Sequence, residues 1–104
     1  MKNTVIYKYE ITSFVKSEET RINCTEVRKL KVPMGSTFLH IKHEEDQTFA
    51  YFLVDLNQAM TGYYHYRVLW TGQVFRNSNM KYLATIQDNH GQVYHYFEES
   101  YPHE

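Results

Sequence analysis

Cysteine is almost absent from this chain of 104 residues: Cys24 stands alone, so no internal disulfide can form. The small core must hold without that staple, and a lone thiol suits a reducing cytosol. A catalytic thiol would need a basic partner to lower its pKa, and the sequence names none, so Cys24 reads as a buried strand residue. An excess of one charge is also missing. Lys and Arg number 11 against 12 Asp and Glu, a net charge of −1. That balance excludes a protein held to bulk nucleic acid by counterion release, which needs clustered cations. Long apolar runs are lacking: residues 49–54 form the longest, far short of the ~20 that a spanning helix requires. Charge interrupts Met1-Lys2-Asn3-Thr4-Val5-Ile6-Tyr7-Lys8, so no signal peptide is expected and the protein is placed in the cytoplasm. The four glycines are scattered singly, which removes the phosphate-cradling loops.

Aromatic residues are what the chain has in abundance: 10 Tyr, 6 Phe and 1 Trp. With Val, Ile and Thr they make a β-favouring composition, against only 3 Ala. Period-two alternation follows from one end to the other. Val5, Tyr7, Tyr9 and Ile11 oppose Ile6, Lys8 and Glu10. Residues 12–20 are a polar connection, and residues 22–32 alternate again, with Arg28, Leu30 and Val32 opposite Lys29 and Lys31. Pro33-Met34-Gly35 marks a turn. In the strand over residues 37–43, Leu39 and Ile41 oppose Phe38 and His40, and an acidic hairpin loop follows at 44–47. Residues 49–56 are almost continuously apolar, as in a central strand covered on both faces. Residues 63–71 alternate cleanly, with Tyr64, Tyr66, Val68 and Trp70 on the apolar face. Arg76-Asn77-Ser78-Asn79 is a polar turn. Met80, Tyr82, Ala84 and Ile86 share a face of the next strand, Asp88-Asn89-His90-Gly91 is a hairpin turn, and residues 92–98 close the fold.

This predicts one all-β domain over residues 1–104, with 99–104 as a polar tail. About seven antiparallel strands form a meander, a small barrel or a two-sheet sandwich. Tyr7, Tyr9, Ile41, Phe52, Val54, Tyr66, Val68, Trp70, Tyr82 and Ile86 are the expected core. Residues 1–42 carry a formal +4 and residues 43–104 a −5. The two signs either make complementary surfaces or cancel as the strands intermix.

Chemistry is sparse. His40 and His43 lie three apart on one strand and face opposite sides, and no histidine pair has the spacing of a zinc site, so no metal and no cofactor is expected. Asp55 has Glu44 or Glu45 as potential carboxylate partners, depending on register. The constellation that remains is Tyr63, His65 and Arg67, which alternation places together on the face opposite Tyr64 and Tyr66. Flat rings beside a planar cation suit a nucleotide, a protein interface, or simple cross-strand pairing within the sheet. Arg67 is accordingly either a binding anchor or a packed, ion-paired side chain.

Several segments together resemble a family of small, functionally uncharacterised domains common in bacteriophage genomes. They are Tyr7-Lys8-Tyr9, the Pro33-Met34-Gly35 turn before a strand, Phe52-Leu53-Val54-Asp55, Thr71-Gly72, and the closing Val93-Tyr94-His95-Tyr96-Phe97. Where the family often has His after Thr-Gly, this chain has Gln73. The resemblance implies a phage-encoded accessory protein and supplies no catalytic residues. The expected function is a non-enzymatic binding module that occupies and inhibits a host or anti-phage defence protein, as a homodimer or larger assembly. The alternative is a sponge for a nucleotide-based immune signal, and a third reading is a small hydrolase using some of the histidines.

Overall fold

The computed structural model describes residues 3–11, 28–76 and 79–100. Cys24, His103, the polar connection at 12–20 and the centre of the turn at 77–78 lie outside them. The described residues form seven strands: β1 (Thr4–Glu10), β2 (Arg28–Pro33), β3 (Thr37–Glu44), β4 (Gln47–Asp55), β5 (Thr61–Trp70), β6 (Met80–Gln87) and β7 (Val93–Glu99). They make two sheets, ordered β1-β4-β3 and β2-β5-β7-β6, with every pairing antiparallel. The sheets do not close into a barrel; they pack as a sandwich. Only β3–β4 and β6–β7 are sequential neighbours, so the strand order is not a simple meander. Strands from both halves of the sequence enter each sheet, so charges of both signs do too. No helix of the described residues is long and apolar enough to cross a membrane.

Turn chemistry sets the hairpins. Glu45 and Asp46 both hold positive φ, 47° and 66°, as a two-residue hairpin loop requires to match the strand twist. At Pro33-Met34-Gly35, Gly35 takes φ 82° and the Ser36 N–H donates to the Pro33 carbonyl at 3.1 Å. A left-handed third position is what the glycine permits. The β6–β7 turn is organised by Asp88, whose carboxylate accepts from the N–H groups of His90 and Gln92 and from the Tyr94 hydroxyl, each at 2.9 Å.

The core lies between the sheets. Ile41, Ala50, Phe52 and Val54 face Tyr66, Val68, Trp70, Ile86, Tyr94 and Tyr96, with Tyr9, Phe38 and Tyr64 packed against them. Tyr64 stacks on Phe38 with centroids 5.8 Å apart and meets Phe52 edge-on at 5.0 Å. Of the expected core, Tyr7 and Tyr82 are instead exposed, at 44% and 56%. Tyr7 points inward opposite Phe52, but β1 is an edge strand and the facing sheet does not cover it. Tyr82 is turned outward by a bulge. The β6–β7 register shifts between Tyr82 and Ala84, so Leu83 is the extra residue and the side-chain phase inverts there. Tyr82 then shares the outer face with Phe97, while Ala84 and Ile86 point inward.

The same device acts in β3, where the register shifts between Phe38 and His40. Phe38 and Ile41 therefore both face the core, although alternation puts them on opposite sides. β4 is the centre of its sheet as expected, but among the described residues only one of its faces is covered. Thr48, Ala50, Phe52 and Val54 are buried, whereas Phe49 and Tyr51 are half-buried and Leu53 is exposed. Lys8 lies over the Phe49 ring at 4.3 Å, and the Tyr51 hydroxyl donates to Glu44 at 2.9 Å. Among the described residues, polar side chains and not a second layer cover that outer side.

Candidate functional site

Tyr63, His65 and Arg67 do share one face, the outer face of the four-stranded sheet. The β2–β5 register sets Lys31 beside Tyr63 and Lys29 beside His65. Tyr63 is 59% exposed, and the Lys29 ammonium sits 5.5 Å from its ring centroid. Two exposed cations thus join the aromatic platform. Sequence reasoning put Lys29 and Lys31 on one side of their strand, but only the pairing, made across some thirty residues, brings them to Tyr63.

Arg67 is differently placed. Its Nε donates to Glu99 Oε1 at 2.5 Å and its Nη2 to Oε2 at 3.0 Å. The two side chains are only 27% and 9% exposed. A bidentate fork held this way is committed to Glu99 and gives the sheet a β5–β7 cross-tie. The neighbouring Tyr64 hydroxyl, on the opposite face, donates to Glu98 at 2.8 Å. Burial first, then that carboxylate, pushes the Tyr64 pKa far above the ordinary phenol value, so the hydroxyl keeps the proton it donates.

Beyond Arg67 the face closes over. Leu69 points outward yet is 1% exposed, because the segment after β5 turns back across the sheet. Gly72 makes that turn at φ 90°, with open space where a Cβ would stand, so the need for glycine there is conformational rather than steric. Gln73 anchors the turn, its Oε1 accepting from the Trp70 N–H at 3.0 Å. Phe75 comes to lie on Phe97, centroids 5.8 Å apart, and Tyr82 meets Phe97 from the other side at 5.7 Å. An open cleft of about 300 Å³ results, bordered by Leu69, Trp70, Thr71, Gln73, Phe75, His95 and Phe97.

His95 carries the polar side of the cleft. Its Nε2 is 2.7 Å from the Thr71 hydroxyl and its Nδ1 is 3.0 Å from the Thr85 hydroxyl, which in turn lies 2.7 Å from the Tyr82 hydroxyl. A hydroxyl this close to an imidazole has the spacing of a nucleophile and its base. The group orienting the ring is a neutral hydroxyl, where such pairs ordinarily use a carboxylate.

The other candidate groups disperse. His40 lies against Tyr51 on the outer face of the three-stranded sheet. His43 bridges the sheets instead, from Thr48 Oγ1 at 2.9 Å to Asn89 Oδ1 at 3.2 Å. Asp55 ends β4 while Glu44 pairs with Gln47 at its start, roughly 25 Å away at strand spacing, so they make no carboxylate pair. Among the described residues no group of three or more His, Cys, Asp or Glu could hold a metal ion.

A family model described as a domain of unknown function (DUF7352) matches residues 2–104. No curated protein and no solved structure matches the chain.

Proposed function

We propose that this chain, which belongs to the DUF7352 family of domains of unknown function, is a non-enzymatic binding module that acts by occupying a protein partner. Its working surface is the outer face of β2 and β5. The observation that carries this reading is the register that groups Lys29, Lys31 and His65 around the exposed Tyr63 ring. Tyrosine beside cations on a flat, rigid sheet is the composition of an interface anchor. The resemblance to phage-encoded domains supplies the setting: the cytoplasm of an infected host, with a host or anti-phage defence protein as the target.

The test is capture from host lysate by the wild-type chain and by Tyr63→Ala and Lys31→Glu variants of unchanged melting temperature. Proteins held by the wild type and lost by both variants support the reading. An identical captured set refutes it. The module works as a homodimer or larger assembly, and a monomer mass by light scattering at micromolar concentration removes that part. A second reading, capture of a nucleotide signal, is favoured by the ring-lined cleft at the far end of the same face.

A further inference from the structure

We infer that the cleft beside His95 is a site for a planar heteroaromatic ring with hydrogen-bonding groups on its edge, a nucleobase in chemical class. The inference gives the second reading above its ligand chemistry. It does not depend on what covers Tyr63.

Size comes first. A volume of about 300 Å³ stands at the bottom of the range for small-molecule sites, room for a ring and little more. Shape and lining come next. Leu69 forms an apolar floor, and the tilted rings of Phe75 and Phe97 give a wall on which a flat ligand can lie. A π-face of this kind accepts any base.

The polar side then selects among flat rings. Both ring nitrogens of His95 are engaged by hydroxyls. If Nε2 carries the proton it donates to Thr71, whose own O–H is left to give to a ligand. If Nδ1 carries it, Thr71 donates to Nε2 and keeps a lone pair to offer. The carbonyl of Gln73 is taken by the Trp70 N–H, so its amide NH₂ is the part that can donate. Gln73 thus offers a donor in either case, and Thr71 a donor in one tautomer and an acceptor in the other, so the rim pairs with acceptors or with a donor beside an acceptor, both of which nucleobase edges present. A phenyl ring would cover these groups without pairing them, and that is unfavourable.

Trp70 borders the cleft only through its backbone, because its indole faces the core, so occupancy is read from the NMR resonances of the His95 ring and the Thr71 methyl. The full chain is titrated with adenosine, guanosine, cytidine and uridine, and with benzyl alcohol as a ring lacking the edge. At least one nucleoside gives a saturable change, with benzyl alcohol about tenfold weaker or more. Thr71→Val weakens the nucleoside about fivefold and leaves benzyl alcohol unchanged. Phe75→Ala, on an exposed side chain that the fold can spare, weakens both, and Tyr63→Ala weakens neither. The proposal is overturned by no saturable response at millimolar nucleoside, by benzyl alcohol binding as well as the bases, or by a folded Thr71→Val protein that binds undiminished. Lysate capture through Tyr63 would survive each of those failures, so the two readings fail separately.

Discussion

Replacing Arg67 by alanine should destabilise the domain rather than disarm it. The guanidinium makes two bonds to Glu99, whose side chain is 9% exposed. Removing one partner of a buried ion pair costs about 3–5 kcal/mol, because the remaining charge is left without compensation. Arg67 itself is 27% exposed, so water can enter behind the truncated side chain and screen Glu99. A discounted cost of about 2–3 kcal/mol is the working figure. A domain of this length holds roughly 5–15 kcal/mol in total, and each kcal/mol moves its melting temperature by about 4–8 °C. The Arg67→Ala protein should therefore melt roughly 10–20 °C below the wild type. Thermal and urea unfolding followed by circular dichroism measure this directly. The double variant Arg67→Met/Glu99→Leu removes the stranded charge together with its partner, and should return to within about 1 kcal/mol of the wild type. An Arg67→Ala protein that melts within about 3 °C of the wild type, yet loses a bound partner, would refute the cross-tie and make Arg67 a binding residue.

Trp70→Ala should cost about 3–5 kcal/mol, since the indole is 8% exposed and packs on Tyr94 at 4.7 Å. Tyr82→Ala should cost only about 1 kcal/mol by the same unfolding measurement, because the bulge at Leu83 has turned that ring to solvent. Equal costs would mean that Tyr82 faces inward after all. Asp88 should make the β6–β7 turn acid-labile. Burial raises its pKa, but the bonds from Gln92, Tyr94 and His90 outweigh burial and hold it below the ordinary aspartate value. A depressed folded-state pKa contributes stability that is full above about pH 4 and is lost as pH falls through the folded value. The melting temperature of Asp88→Asn should accordingly sit below the wild type at pH 7 and converge with it at low pH. A constant gap across that window would contradict the assignment.

Period-two alternation made the strands legible, since each local run of apolar and polar residues reports its own two faces. It did not report the bulges. Met80, Tyr82, Ala84 and Ile86 alternate without interruption, and nothing local marks Leu83 as the extra residue. Whether a strand slips by one is decided by its partner, because β7 must keep Tyr94 and Tyr96 inward. In β3 the adjacent apolar pair Phe38-Leu39 was the one visible sign that the phase changes. The site was legible to a similar depth. Alternation placed Tyr63, His65 and Arg67 on one face, but Lys29, Lys31 and Glu99 join them only through β2–β5 and β5–β7 pairing. Those pairings bridge some thirty residues, and no local pattern encodes them. His95 is the exception. The expected core omits Tyr94 and Tyr96; placing them inward, as the structure does, sends His95 and Phe97 outward by the same rule, a signal present in the sequence.

β7 is where stability and the candidate site meet. Its inward residues, Tyr94 and Tyr96, are 4% and 0% exposed and belong to the core. Its outward residues supply a partner to each part of the outer face: His95 to Thr71 and Thr85, Phe97 to Phe75 and Tyr82, and Glu99 to Arg67. The strand lies inside the sheet, between β5 and β6, so both flanks fix its register. A slip of one residue would break the Arg67–Glu99 pair, turn His95 inward and expose two core tyrosines, a change that the lost apolar burial forbids. The packing of the core thereby sets the positions of the cleft and of the ion pair. Substitutions at Tyr94 or Tyr96 should disturb the outer face without touching it, whereas substitutions at Tyr63 or Phe75, borne on exposed side chains, should alter that face and leave the fold standing.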